Sequence, residues 1–114
     1  MTVTPATIAA AEAFFLADLI TPTVGGIASR VLAKTGGGNV TLFAFDQGQG
    51  LSEHTAPFDA LALVLDGELA ITIGGAVVAA TPGTIVRMPA NVPHALDATS
   101  AARMLLVMLR EPKP

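Results

Sequence analysis

Short apolar runs alternate with glycine-rich turns along most of this chain, and that rhythm limits what it can become. From Gly25-Gly26 onward no apolar run exceeds eight residues before a glycine, proline or polar turn interrupts it. Runs this short, cut by turn residues, read as β-strands; helices need longer uninterrupted periods. Ile27, Ser29, Val31 and Ala33 alternate with Ala28, Arg30, Leu32 and Lys34, which predicts a strand with one polar or edge-like face. Gly36-Gly37-Gly38-Asn39 then turns the chain. A phosphate loop would need a Lys-Ser/Thr pair after its glycines and a helix behind it. Neither follows, so the triple glycine is a hairpin turn.

The remaining strands follow in the same manner. Residues 40–45 form a second strand, and Asp46-Gln47-Gly48-Gln49-Gly50 a polar turn. Residues 51–55 are short and extended, and Ala56-Pro57 breaks them. Residues 61–65 are almost wholly apolar, as in a strand covered on both faces. Asp66-Gly67 predicts a two-residue hairpin into residues 69–73, because both central positions of such a turn need positive φ. Gly74-Gly75 and Thr81-Pro82-Gly83 are further turns, with strands at 77–80 and 84–88. The rigid loop Pro89-Ala90-Asn91-Val92-Pro93 leads into His94, and residues 104–109 close the chain as an apolar strand. Ahead of all this, Thr4-Pro5 predicts a helix start, with Thr4 as cap. Ile8, Phe15, Leu16 and Leu19 stand at roughly helical spacing up to Thr21-Pro22. The expectation is an all-β sandwich or barrel that closes to hide its strand edges, with a short N-terminal helical arm. The arm is residues 1–22, the barrel 23–111 and a loose, proline-bearing tail 112–114.

Composition narrows function by exclusion. The 114 residues suit one domain with one core. Apolar residues make up 52% and aromatics 4%, so Ala, Val, Leu, Ile and Met must build that core. The net charge of −3, without a Lys/Arg cluster, lacks the footprint of a nucleic-acid binder. Absence of cysteine removes disulfides, thiolate metal sites and a thiol nucleophile, and an unstapled core suits a cytoplasmic protein. The apolar run 8–20 carries Glu12 and Asp18 and falls short of the roughly 20 residues a bilayer span needs, so no membrane role is expected.

Two segments carry more specific information. Gly48 is followed after five residues by His54, and Gly67 ends that segment. Gly83, Pro89, Asn91 and His94 form a second series. In both, the spacing resembles the two signature motifs of the cupin superfamily. The first motif runs glycine, five residues, His-x-His, three or four residues, Glu, six residues, glycine. The second runs glycine, five residues, proline, x, glycine, two residues, His. Asn91 stands at the glycine of the second motif, and Ala98 where asparagine is common. Covering residues 40–110, the resemblance implies a small single-domain cupin: a jelly-roll barrel, or double-stranded β-helix. Typical cupins hold a divalent metal with the two histidines and glutamate of the first motif and the histidine of the second. Here Ala56 and Ala60 occupy two of those four positions, leaving His54 and His94.

Residues two apart on a strand share a face, which is why His-x-His chelates and why Ala56 leaves a gap beside His54. Two neutral imidazoles can bind zinc, nickel, copper or iron, but stable sites supply three or four ligands. Asp59 or Glu53, or an amide from Gln47 or Gln49, are the remaining sources of a third donor. Strand alternation turns Asp59 and Glu53 to the wrong side unless a bulge intervenes. A facing histidine pair can also bind an anion or act as general acid and base. Arg87, inside an apolar strand, is read as an outer-face arginine, and Asn91 as a loop-shaping residue. Phe45 and Met88 are candidates for an apolar pocket wall, with core packing the plainer role for each.

The expected function is small-molecule binding in a barrel pocket containing His54 and His94, with at most a loosely held divalent metal: zinc, nickel, iron or manganese. The reaction, if any, is unassigned. The alternatives are a metal-dependent enzyme of dioxygenase or isomerase type and a non-catalytic sensing module. The last strand does not alternate cleanly, which predicts an outer face buried in a homodimer.

Overall fold

A computed structural model describes residues 7–111. The expected cap at Thr4-Pro5 and the tail 112–114 lie outside the described residues. Nine strands make up the body: β1 Ile27–Thr35, β2 Gly38–Phe45, β3 Gly50–His54, β4 Asp59–Asp66, β5 Leu69–Ile73, β6 Ala76–Ala80, β7 Ile85–Met88, β8 His94–Ala98 and β9 Ala102–Leu109. They form a five-stranded sheet, β1-β2-β9-β4-β7, and a four-stranded sheet, β3-β8-β5-β6. Every pairing is antiparallel. The chain stays in one sheet only at the β1–β2 and β5–β6 hairpins and otherwise crosses between sheets at each connection. This is the expected jelly-roll barrel.

The two hairpins use two-residue glycine loops. Gly36-Gly37 joins the pair Thr35–Gly38, and Gly74-Gly75 joins Ile73–Ala76. Gly74 and Gly75 both have positive φ, 56° and 86°, which suits the right-handed strand twist. Asp66-Gly67 corrects the sequence reading. β4 and β5 belong to different sheets, so this dipeptide is a corner and not a hairpin. Only Gly67 takes positive φ, 70°, and a Cβ there would collide with the Ala101 backbone. Only the glycine half of that reading holds, since Asp66 does not take positive φ, and the following strand joins the other sheet because turn chemistry does not say which sheet the chain enters next.

The sheets bury one core between them. Phe45, Ala60, Ala62, Val64 and Met104 from one sheet meet Leu69, Ile71, Ala80, Leu96 and Ala98 from the other. Strict alternation along β4 places Ala60, Ala62 and Val64 inside and Leu61, Leu63 and Leu65 outside.

The expected N-terminal helix is reduced to one 3-10 turn, Leu16–Asp18. The rest of the described arm lies across the outer face of β1 and β2. The Ile8 amide donates to the Leu32 carbonyl at 2.9 Å, and the Arg30 guanidinium donates to the Leu19 carbonyl at 3.0 Å. Leu19 and Ile20 cover Leu32, Leu42 and Ala44 in a second cluster. These contacts to a sheet need an extended strap, so tertiary packing overrides the helical preference of the alanines. Among the described residues no helix is long and apolar enough to cross a membrane.

Candidate functional site

β3 and β8 lie side by side, and their register decides what meets at the site. Leu51 pairs with Leu96, and both belong to the core side of the sheet. Without irregularity Glu53 would then face His94. Instead the register shifts between Leu51 and His54, so that Ser52 and Glu53 together oppose Ala95 and His54 opposes His94. This is a β-bulge: one extra residue reverses the side on which the following side chains project. Ser52 and Glu53 are exposed, and His54 takes the inward position that simple alternation would have given the glutamate.

His94 opens β8 on its core side, flanked across the sheet by Ile73 and His54. It is 6% exposed, whereas His54 is exposed at the rim. The loop before His94 is anchored from three sides. Asn91 donates its amide to Ala56 O at 2.7 Å, the Ala90 amide donates to Asp59 Oδ1 at 2.8 Å, and the Gly74 amide donates to Pro93 O at 2.8 Å. Asn91 has φ 63°, a left-handed conformation that asparagine tolerates and that explains its place at the glycine of the motif.

The two rings touch. Nε2 of His54 lies 3.1 Å from Nε2 of His94, with ring centres 4.3 Å apart and planes inclined at 67°. Each Nδ1 faces a carbonyl two residues earlier: His54 with Ser52 O at 2.8 Å and His94 with Val92 O at 3.2 Å. A carbonyl only accepts, so both Nδ1 atoms carry the proton. In neutral rings both Nε2 atoms are therefore bare lone pairs. Two bare lone pairs at this distance repel unless a cation, a proton or a metal ion, lies between them. A 3.1 Å separation would allow the two nitrogens to act as neighbouring ligands of one ion at the usual metal–imidazole distance of about 2.0–2.1 Å. The carbonyl bonds are the outer partners that fix the tautomer and orientation of metal-ligating histidines.

Other residues singled out in the sequence do not join them. Met88 pairs with Ala60 at the histidine end of the barrel and is buried in the core, 2% exposed. Phe45, 1% exposed, pairs with Ala102 at the far end, stacked on Phe43 at 5.9 Å. Asp59 lies on the outer side of β4, where its Oδ2 accepts from Arg87 at 2.8 Å, so Arg87 is an outer-face residue. The Ala90 amide, and after it the Arg87 guanidinium, hold the Asp59 carboxyl below its ordinary value. Gln47 and Gln49 sit in the turn that pairs with Gly26 and Ala98, at the end of β3 away from His54. Ala60 is a core methyl group. Among the described residues no three His, Asp or Glu side chains gather as a metal cluster.

Cavities of about 410, 260 and 240 Å³ are present, and neither histidine lines any of them. The first lies at the histidine end, walled by Pro57, Phe58, Ala90, Asn91 and Arg110, with the Arg110 guanidinium 5.2 Å from the Phe58 ring centre. The barrel interior itself is filled by side chains. The histidine pair therefore stands at an open rim above a packed core, not in an enclosed chamber.

Residues 41–109 match the cupin domain family. The chain belongs to that family. Solved structures agree. A conserved protein of unknown function from Streptococcus pyogenes is 32% identical, with a TM-score of 0.88 and 94% of each chain covered. A cupin superfamily protein from Desulfitobacterium hafniense is 28% identical, with a TM-score of 0.85, covering 92% of this chain and 96% of that one. A cupin 2 conserved barrel domain protein from Leptotrichia buccalis is 35% identical with a TM-score of 0.81; 85% of this cupin covers 47% of that chain. No functionally curated protein matches.

Membership implies a divalent metal, and the donor set tests whether this cupin fits one. Two preorganised lone pairs fit two ligand positions of an ion. Ala56 and Ala60 supply nothing to the others, and Asp59 and Glu53 face away. The residues fit half of a coordination sphere.

Proposed function

We propose that this cupin binds a small molecule at its barrel rim through His54 and His94, with a divalent transition metal held there weakly by the same two nitrogens. The observation that carries this reading is the 3.1 Å approach of two Nε2 atoms whose Nδ1 protons are both committed to backbone carbonyls. Such a pair has no use for its own lone pairs and is built to share a cation. A bound metal would supply Lewis-acid character. The chain's own residues orient the rings, through Ser52 O and Val92 O, and leave the His54 side exposed to solvent. A facial two-histidine, one-carboxylate centre is not favoured, because the nearby carboxylates are turned outward or engaged by Arg87. Metal analysis of untagged protein, with and without added zinc or nickel, tests the reading. One equivalent taken up by the wild type and lost in both His54→Ala and His94→Ala is the expected result. Uptake unchanged in either variant would overturn it.

We propose separately, from the apolar outer face of the larger sheet, that the protein forms a homodimer. β9 and β4 turn Leu61, Leu63 and Val107 outward, beyond the strap that covers Leu65 and Leu105, and Ile85 and Leu109 beside them are 57% and 48% exposed. Apolar sheet faces of this kind mark association surfaces. Light scattering at micromolar concentration should report a dimer, and Leu63→Asp a monomer.

A further inference from the structure

We infer that β6 is an association edge: two copies of this chain pair through it, antiparallel about Val78, and join their four-stranded sheets into one of eight strands. This edge is separate from the outer face of the larger sheet, and a comparison of the four edge strands leads to it. β1, β3, β6 and β7 end the two sheets, and each has a row of backbone groups outside its own ladder. Three of them carry a block to further pairing. β1 holds Arg30 and Lys34, shifts register between Val31 and Ala33, and has its Leu32 carbonyl taken by the Ile8 amide of the strap at 2.9 Å. β3 holds Glu53 in its bulge. β7 is four residues long and holds Arg87, paired with Asp59 at 2.8 Å. Charges, bulges and short length all keep an edge from templating another strand.

β6 has none of the three. Ala76-Val77-Val78-Ala79-Ala80 carries no charge and no proline, and all five residues pair with β5 without a register shift. Among the described residues no strand lies beyond it. Val78 pairs with the fully buried Ile71 and so projects to the core side, yet it is 38% exposed because the sheet stops there. Val77, on the opposite side, is 69% exposed. The open backbone groups of an edge are matched by another strand, and β6 suits its own copy. Antiparallel pairing about Val78 sets that valine against its counterpart and Val77 against the counterpart of Ala79. No like charges meet, and small apolar side chains cover both exposed valines. The same pairing at β1, β3 or β7 would bring like charges of two copies onto one short ladder. A stable interface buries roughly 1,200–2,000 Å², more than a five-residue edge supplies, so this contact forms at high concentration and adds to association through the larger sheet.

Single-cysteine variants test the inference, because the chain has no cysteine of its own. Directly opposed residues of an antiparallel pair lie within disulfide reach. Under mild oxidation Val78→Cys should form a covalent dimer on a non-reducing gel, whereas Ser52→Cys, exposed on the β3 edge, should stay monomeric. A second measurement does not depend on thiols. In the Leu63→Asp background, sedimentation near millimolar concentration should still show dimers. Adding Val77→Lys, which gives β6 the edge charge it lacks, should weaken them about ten-fold. Cross-linking of Val78→Cys no greater than that of Ser52→Cys overturns the inference. So does a Leu63→Asp protein that is monomeric at every concentration, or one whose dimers are indifferent to Val77→Lys. None of these outcomes bears on the histidine site.

Discussion

His54 and His94 meet nose to nose, yet their surroundings have little in common. His94 starts a strand that is paired on both sides, and three hydrogen bonds tie its loop to β4, to the β5–β6 hairpin and to Ala56. His54 ends a five-residue edge strand, is exposed, and reaches its position only because Ser52 and Glu53 share one place in the ladder. One histidine is positioned by a strand paired on both sides and a loop tied at three points, the other by a local irregularity at an edge. The contrast teaches that the site is assembled asymmetrically. The β8 side provides a half tied on all sides, and the β3 side one held at a sheet edge and facing solvent.

The largest expected effect comes from shifting the register beyond the irregularity. Inserting one residue between Glu53 and His54 puts the new residue opposite His94 and turns His54 outward. Metal uptake through the histidine pair should fall by about 100-fold, comparable to the strongest losses when a ligand's outer support is removed. Because β3 is a short edge strand, the thermal midpoint should move by only a few degrees, as for a change of about 1 kcal/mol in a domain of this size. Deleting Ser52 instead removes the bulge but keeps His54 opposite His94, and uptake should survive. Unchanged metal uptake in the insertion variant would mean that strand register does not place His54.

Truncation of each histidine sharpens the same contrast. Both His54→Ala and His94→Ala should lose metal, but their stabilities should separate. His94→Ala empties a buried position beside Ile73 and should cost about 2 kcal/mol. His54→Ala removes an exposed ring and should stay within about 0.5 kcal/mol. Urea unfolding of the two variants without metal checks this. Equal losses would show that the two sides of the site are equally built in.

The strands were legible because each apolar run is short and ends at a glycine or proline. Alternation alone assigns Ala60, Ala62 and Val64 to one face and Leu61, Leu63 and Leu65 to the other, and the sheets keep that division. The meeting of His54 with His94 was visible only through motif spacing. Three features were not legible, for separate reasons. The bulge at Ser52-Glu53 has no glycine or other turn residue to announce it. The corner at Asp66-Gly67 carries hairpin chemistry, and which sheet the next strand joins is a non-local matter. The N-terminal strap has helical composition, and residues distant in sequence hold it against the sheet instead: the backbone of Leu32, the side chain of Arg30 and the apolar cluster of Leu32, Leu42 and Ala44. Phe45, a candidate for the pocket wall with core packing as its plainer role, ends β2 and so lies at the end of the barrel away from the histidines.

A smaller effect concerns the loop that precedes His94. Asn91 occupies the left-handed region, where a β-carbon-bearing residue without a polar side chain is penalised. Asn91→Ala should cost about 1 kcal/mol and weaken metal uptake through misplacement of His94. Asn91→Gly should stay within about 0.5 kcal/mol, offsetting its relaxed backbone strain against greater chain entropy when unfolded. If alanine and glycine behave alike, the loop is not held in this conformation.

The smallest effect is a pH dependence confined to the His94 side. Asp59 holds the Ala90 amide and, second, Arg87, and these bonds lower its folded carboxyl below the ordinary value of 3.8. A group held lower in the folded state than in the unfolded one contributes stability that is present above the unfolded value and is lost as pH falls through the folded one. At about pH 6 Asp59→Asn should therefore be less stable than wild type, because the amide cannot pair with Arg87 or carry the charge that strengthens the Ala90 bond. As pH falls through the lowered folded value the wild-type carboxyl is protonated, and the difference between the two proteins should close. Asp46 is also lowered, by the Gly25 amide and then the Gln47 amide, so wild type and variant should share the rest of the acid limb. The deciding quantity is thus the gap between two urea midpoints at two pH values, not the shape of either curve. A gap that persists in acid would mean that the Asp59 charge does not secure the loop, and that His94 owes its fixed position to strand pairing and the remaining backbone bonds alone.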